Sequence, residues 1–180
     1  MNTAKRLPLL LLLLIFPLAA SLCLVTAARG EPFAIAGATI HPIGGPDIPN
    51  GVLIVDGGRI RQLGSTLAVD PSMTRIDATG KHLYPGFIQV HSTLGLIEIG
   101  SVRGTVDTTE TGNVNANLRA ETAFNADSQM LLPAMAGGVL TAHVAATGGV
   151  YNGNSALMKL RGWNWQDMTL RSPVGFFLTY

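Results

Sequence analysis

Between Gly80 and Thr93 the chain reads Gly-Lys-His-Leu-Tyr-Pro-Gly-Phe-Ile-Gln-Val-His-Ser-Thr, and this stretch constrains the fold more than any other. A glycine turn leads into a rigid Pro-Gly step, then a short apolar strand that delivers a histidine at its far end. The run Phe87-Ile88-Gln89-Val90 is too apolar for a half-exposed strand. It predicts a parallel strand covered on both faces. Downstream, Ala126 to Ala136 suits a helix, with Asn125 or Asp127 as N-cap and Gly137-Gly138 as the stop, although Pro133 lies inside it. Val139 to Ala145 then reads as a second buried strand. Strand, helix and strand in that order make a βαβ crossover and place this half in the α/β class.

Upstream of Gly80 the pattern is all-β. Phe33 to Ile40 and Gly51 to Val55 predict strands, with His41-Pro42-Ile43-Gly44-Gly45-Pro46-Asp47 as the loop between them. Asp56-Gly57-Gly58-Arg59 is a hairpin signal, because glycine takes positive φ without penalty. Ile60 to Leu63 returns as its partner, and Thr74 to Asp77 enters a further turn ending at Gly80. Short strands and tight turns predict a small β-sheet unit. So few strands bury too little apolar area to stand alone. Past the second buried strand, Gly148, Gly149 and Gly153 mark a loop. Ala156 to Leu160 resumes a strand, and Gly162 to Met168 predicts a turn into a helix start.

The first residues carry a different instruction. Lys5 and Arg6 precede an apolar run from Leu7 to Val25, and Val25-Thr26-Ala27 supplies the small residues that a signal peptidase cuts after. This pattern predicts a secretory leader over residues 1–28 and a periplasmic or secreted protein. The alternative is a membrane anchor, since about 19 apolar residues could span a bilayer. After cleavage no stable membrane insertion is expected. Loss of the leader takes 12 basic residues to 10 against 11 acidic ones, and the net charge from +1 to −1. No basic footprint for nucleic acid remains. Cys23, the sole cysteine, leaves too, so the mature chain has no disulfide and no thiolate metal site.

Taken together, Ala36-Gly37-Ala38-Thr39-Ile40, the Ile54–Ile60 hairpin, Ile76-Asp77-Ala78-Thr79-Gly80-Lys81 and Pro85-Gly86-Phe87-Ile88-Gln89-Val90-His91 resemble the amidohydrolase superfamily, in particular its secreted imidazolonepropionase-like branch. Leu94 to Gly100 and Gly137 to Thr141 look like the same branch. The resemblance implies a small N-terminal β-sandwich-like unit over residues 33–85, followed by the first part of an incomplete (β/α)8 metal-dependent hydrolase barrel over residues 86–180. It further implies hydrolysis of non-peptide carbon–nitrogen bonds in a small-molecule substrate, by water activated on a divalent metal, zinc first among the candidates. Members end the first barrel strand in His-x-His, and by resemblance His91 is the first metal ligand. Thr93 occupies the second position, where its neutral hydroxyl is a poor substitute for imidazole, and Gln89 stands where the family places an aspartate.

A closed barrel takes about 250 residues, and residues 86–180 supply less than half of that. The expectation is therefore the front portion of a longer hydrolase, inactive by itself; the alternative is a catalytically silent relative acting as a binding or scaffolding module. His143 is expected to serve a buried polar partner, and His41 and His82 to lie in turns facing solvent. Glu98, Asp107, Glu110 and Glu121 are scattered and expected to be solvated. The glycines at 148, 149 and 153 lack the Lys-Ser/Thr of a phosphate loop. Trp163 and Trp165 are expected to pack against the barrel wall.

Overall fold

A computed structural model describes residues 30–179; the leader predicted over residues 1–28 lies outside the described residues. The chain divides between Tyr84 and Pro85 into two compact units.

The first unit is one sheet. Its strands are β1 (Phe33–Ile40), β2 (Ile48–Asp56), β3 (Arg59–Gly64), β4 (Thr74–Asp77) and β5 (His82–Leu83), in the order β3-β2-β1-β4, with β5 also pairing with β1. β1 is central because its alternate residues Ala34, Ala36, Ala38 and Ile40 are all buried, the two-residue period of a strand with one covered face. It runs antiparallel to β2 and parallel to β4 and β5. Gly37 sits at a register shift in β1 with φ +88°, and a Cβ there would stand 2.6 Å from the Thr79 hydroxyl oxygen. The glycine lets β1 bulge and the Asp77–Gly80 turn close over it. Gly57 and Gly58 take φ of +58° and +72° in the predicted hairpin between β2 and β3. The described residues form a single layer here, with a small core of Ala38, Ile40, Leu53 and Ala78.

The second unit is built on β6 (Phe87–Ser92) and β7 (Val139–Val144), which pair in parallel across the helix α1 (Leu131–Ala136). The βαβ crossover is therefore present. β9 (Ala156–Lys159) pairs antiparallel with β7, and β10 (Thr169–Arg171) with β9, so the sheet order is β10-β9-β7-β6. A separate ribbon joins β8 (Tyr151–Asn154) to β11 (Phe176–Leu178). Between β9 and β10 lies the short helix α2 (Trp165–Met168), capped by Asn164, whose side chain accepts the Asp167 N–H. Leu96, Phe124, Leu131, Val144, Met158, Leu160 and Met168 form the core. Each such side chain, fully buried, contributes about 1.5–3 kcal/mol.

Four expectations need correction. β6 is not covered on both faces: Phe87, Ile88 and Val90 are 65%, 60% and 78% exposed. Among the described residues only β7 flanks it, so its apolar side chains have little to pack against. The helix expected from Ala126 starts only at Leu131, and the glycine loop expected up to Gly153 includes β8. Trp165 packs on the core, whereas Trp163 is 88% exposed.

Candidate functional site

The parallel pair fixes where any site of the second unit must be built, because side chains at the carboxyl ends of adjacent parallel strands converge on one opening. His91 lies one residue before the end of β6 and is exposed. Its ring stacks face to face on Phe177 of β11, with centroids 4.9 Å apart and planes 11° apart. Stacking engages the π face and leaves both in-plane nitrogen positions unused by that contact. His143 of β7 meets the same phenyl ring edge-on at 5.5 Å. Two imidazoles from neighbouring parallel strands thus share one aromatic neighbour.

His143 is tied down on both sides. Its Nδ1 stands 2.9 Å from the Val90 carbonyl oxygen and its Nε2 stands 2.8 Å from Ser155 Oγ. A carbonyl only accepts, so Nδ1 carries a proton. In the neutral ring Nε2 then accepts from the Ser155 hydroxyl. In the charged ring Nε2–H donates to Oγ, and the hydroxyl proton turns to the Gly175 carbonyl 2.9 Å away. Ser155 is fully buried, so its hydroxyl is available to little else. The structure brings His143 to a buried polar partner; sequence reasoning missed both Ser155 and Phe177, which no local pattern marks.

Thr93 falls just past the end of β6, and its carbonyl already accepts the Leu96 N–H at 2.9 Å in the following turn. The alternation that would aim residues 91 and 93 the same way therefore stops at Ser92. Gln89, inside the strand, keeps the side of His91. Among the described residues no three His, Cys, Asp or Glu side chains gather as metal ligands. His91 with Thr93 and Gln89 offers one good donor for a divalent ion, too few for a metal centre. The described residues do not fit the metal that the resemblance implies.

The acidic residues are not uniformly solvated. Glu121 is 1% exposed, and its Oε1 accepts from both Nε and Nη2 of Arg119 at 2.7 Å. Its other oxygen has no partner among the described residues. Glu98 anchors the segment before α1, accepting from the Asn125 amide at 3.2 Å and the Gln129 N–H at 3.3 Å. Such bonds position loops around the strand ends without supplying an acid–base pair.

No family model matches the sequence. The structure is similar to that of an amidohydrolase from Thermotoga maritima MSB8, with a TM-score of 0.76 and 27% identity over 81% of this chain and 38% of that one. A 50-residue stretch is 40% identical to a 5'-deoxyadenosine deaminase of Methanococcoides burtonii, covering 28% of this chain and 11% of that protein. The mixed α/β fold thus has amidohydrolases among its structural neighbours. The chain spans well under half the length of either relative.

Proposed function

We propose that this chain is the front portion of a secreted amidohydrolase-like hydrolase acting on non-peptide carbon–nitrogen bonds of a small-molecule substrate. The observation that carries the reading is the likeness to the Thermotoga amidohydrolase across four-fifths of the chain, at a TM-score of 0.76. The deaminase match, brief as it is, lies with a protein named for a carbon–nitrogen cleavage. The apolar, uncovered strand β6 supports a barrel continued by further strands, because Phe87, Ile88 and Val90 need neighbours to pack against. In that reading the sheet of the first unit is one layer of a sandwich, and His91 is the first donor of a site whose remaining donors come from a longer chain.

A second reading is favoured by the donor set itself. Thr93 has a poor ligating group and sits in a turn, so a silent member of the fold, binding rather than cleaving, fits the same strand. Loading the full-length protein with zinc or manganese and measuring bound metal decides between them. A stoichiometric ion that disappears in His91→Ala supports the hydrolase. Trace metal in both proteins, with no turnover of cyclic amides, establishes the silent member.

A further inference from the structure

β5 holds to β1 over just two residue pairs, Thr39 with His82 and Ile40 with Leu83. The Thr39 and His41 amides reinforce it by donating to the Lys81 and Leu83 carbonyls, each at 2.9 Å. Side chains add a third tie. Asp47, on the β1–β2 connection, places Oδ1 2.8 Å from His41 Nδ1. On the other side of the same ring, His41 Nε2 stands 2.8 Å from His82 Nδ1. Tyr84 lies flat on His41, with centroids 4.3 Å apart and planes 6° apart. His82 is exposed, as expected from its turn, whereas His41 is half-buried, and the two side chains are links of one chain.

The geometry of the imidazole pair is that of a shared proton. The two ring planes are 16° apart and the centroids 5.1 Å apart, as far as the 2.8 Å nitrogen separation plus two ring radii allows. Ring centres and facing nitrogens are nearly collinear. Two ligands bent round one ion would bring the centroids closer at the same nitrogen separation.

Counting protons fixes the polarity. The Asp47 carboxylate accepts, so His41 Nδ1 donates, and in the neutral ring His41 Nε2 must accept. His82 then donates from Nδ1 and leaves its Nε2 bare toward solvent. One further proton enters at that bare nitrogen and breaks nothing; it strengthens the His82–His41 bond by giving it a charged donor. A second proton has only His41 Nε2 to occupy, where N–H would face N–H. Among the described residues, the titratable groups that touch His41 are Asp47 from the β1–β2 connection and His82 and Tyr84 from the β5 segment.

We propose that Asp47, His41 and His82 form a proton-counting latch that holds β5, and with it the chain leaving the first unit at Tyr84, closed with zero or one added proton and open with two. The second proton goes to His41, whose other nitrogen stands 2.8 Å from the Asp47 carboxylate, so that charge favours the proton that opens the latch.

The test is ring-nitrogen and amide NMR on the intact chain across an acid titration. At neutral pH, His82 should be the Nδ1–H tautomer with a bare Nε2. Protection of the Thr39 and His41 amides should survive the first imidazole protonation and fall on the order of fivefold with the second, the factor expected for one lost hydrogen bond. Asp47→Asn removes the charge beside the second protonation site while retaining an acceptor, and should move the opening to lower pH. An Nε2–H tautomer at His82, loss of protection with the first proton, or an Asp47→Asn profile that superimposes on the parent would each overturn the latch.

Discussion

Replacing Ser155 by alanine tests the polar tie beneath the candidate site. The hydroxyl is fully buried and serves His143 Nε2 at 2.8 Å and the Gly175 carbonyl at 2.9 Å. Gly175 is the smaller loss, because its carbonyl still accepts the Ser155 N–H at 2.9 Å. His143 is the larger one: Nε2 is left without its partner while Nδ1 stays bound to Val90. An unsatisfied buried group costs about 1–3 kcal/mol, and the half-buried ring places this case at about 1–2 kcal/mol. That is a factor of about 5–30 in the folded-to-unfolded ratio. Both tryptophans, Trp163 and Trp165, lie in the second unit, so their fluorescence during urea unfolding reports this unit alone. The decisive comparison is a double-mutant cycle with His143→Phe, which keeps a ring but removes both nitrogens. In that background Ser155→Ala should cost less by about 1 kcal/mol. An equal cost in the two backgrounds would refute the argument that Ser155 acts through His143.

Gly95→Ala should destabilise the same unit by about 2–4 kcal/mol, because the residue has φ +78° and a Cβ would stand 2.5 Å from the Phe124 ring; urea midpoints followed by tryptophan fluorescence measure it. The Asp167 carboxyl is held below its usual value of 3.8, first by the Lys159 ammonium that donates to it and then by the Trp163 N–H. Folding therefore weakens its hold on a proton, so its stabilisation is complete above that usual value and is lost as pH falls through the lowered one. Asp167→Asn should flatten that acid limb when urea midpoints are followed from about pH 5 to pH 2; an unchanged slope would show that the carboxylate contributes nothing there.

What the sequence disclosed follows the range of the forces involved. The Asp56–Arg59 hairpin was legible because glycine at two consecutive positive-φ positions is a local requirement. The βαβ order was legible from runs of apolar residues. The helix limit was not, because local polar bonds compete with it. Asn125 Oδ1 accepts the Asp127 N–H at 3.0 Å and Ser128 Oγ accepts the Met130 N–H at 3.3 Å, so the backbone there is satisfied without helix. Pro133 is then tolerated, lying in the first turn of α1 where its missing N–H has no helical role. β8 was hidden because its polar residues gain their partners from β11 and from bridges to Val114 and Arg119, all far along the chain. The same distance concealed Phe177 and Ser155 from any reading of the strand that carries His91.

Position and chemistry separate at His91. A strand that delivers an imidazole to the carboxyl end of a parallel pair requires only the backbone of β6 and β7, and that backbone is present. A reaction requires converging donors, and these depend on which side chains follow. At residue 93 the chain offers a hydroxyl in a turn, while the rings nearest His91 and His143 meet through a phenyl group. Phe177 excludes water from one face of His91 without occupying its nitrogens. An imidazole so placed is ready to accept a ligand or a proton, but by itself it activates neither water nor a leaving nitrogen. On the proposed hydrolase reading, further donors would have to approach the exposed side of β6, where Phe87, Ile88 and Val90 are also uncovered among the described residues. On that proposed reading, the residues that would cover β6 and those that would complete the site arrive together.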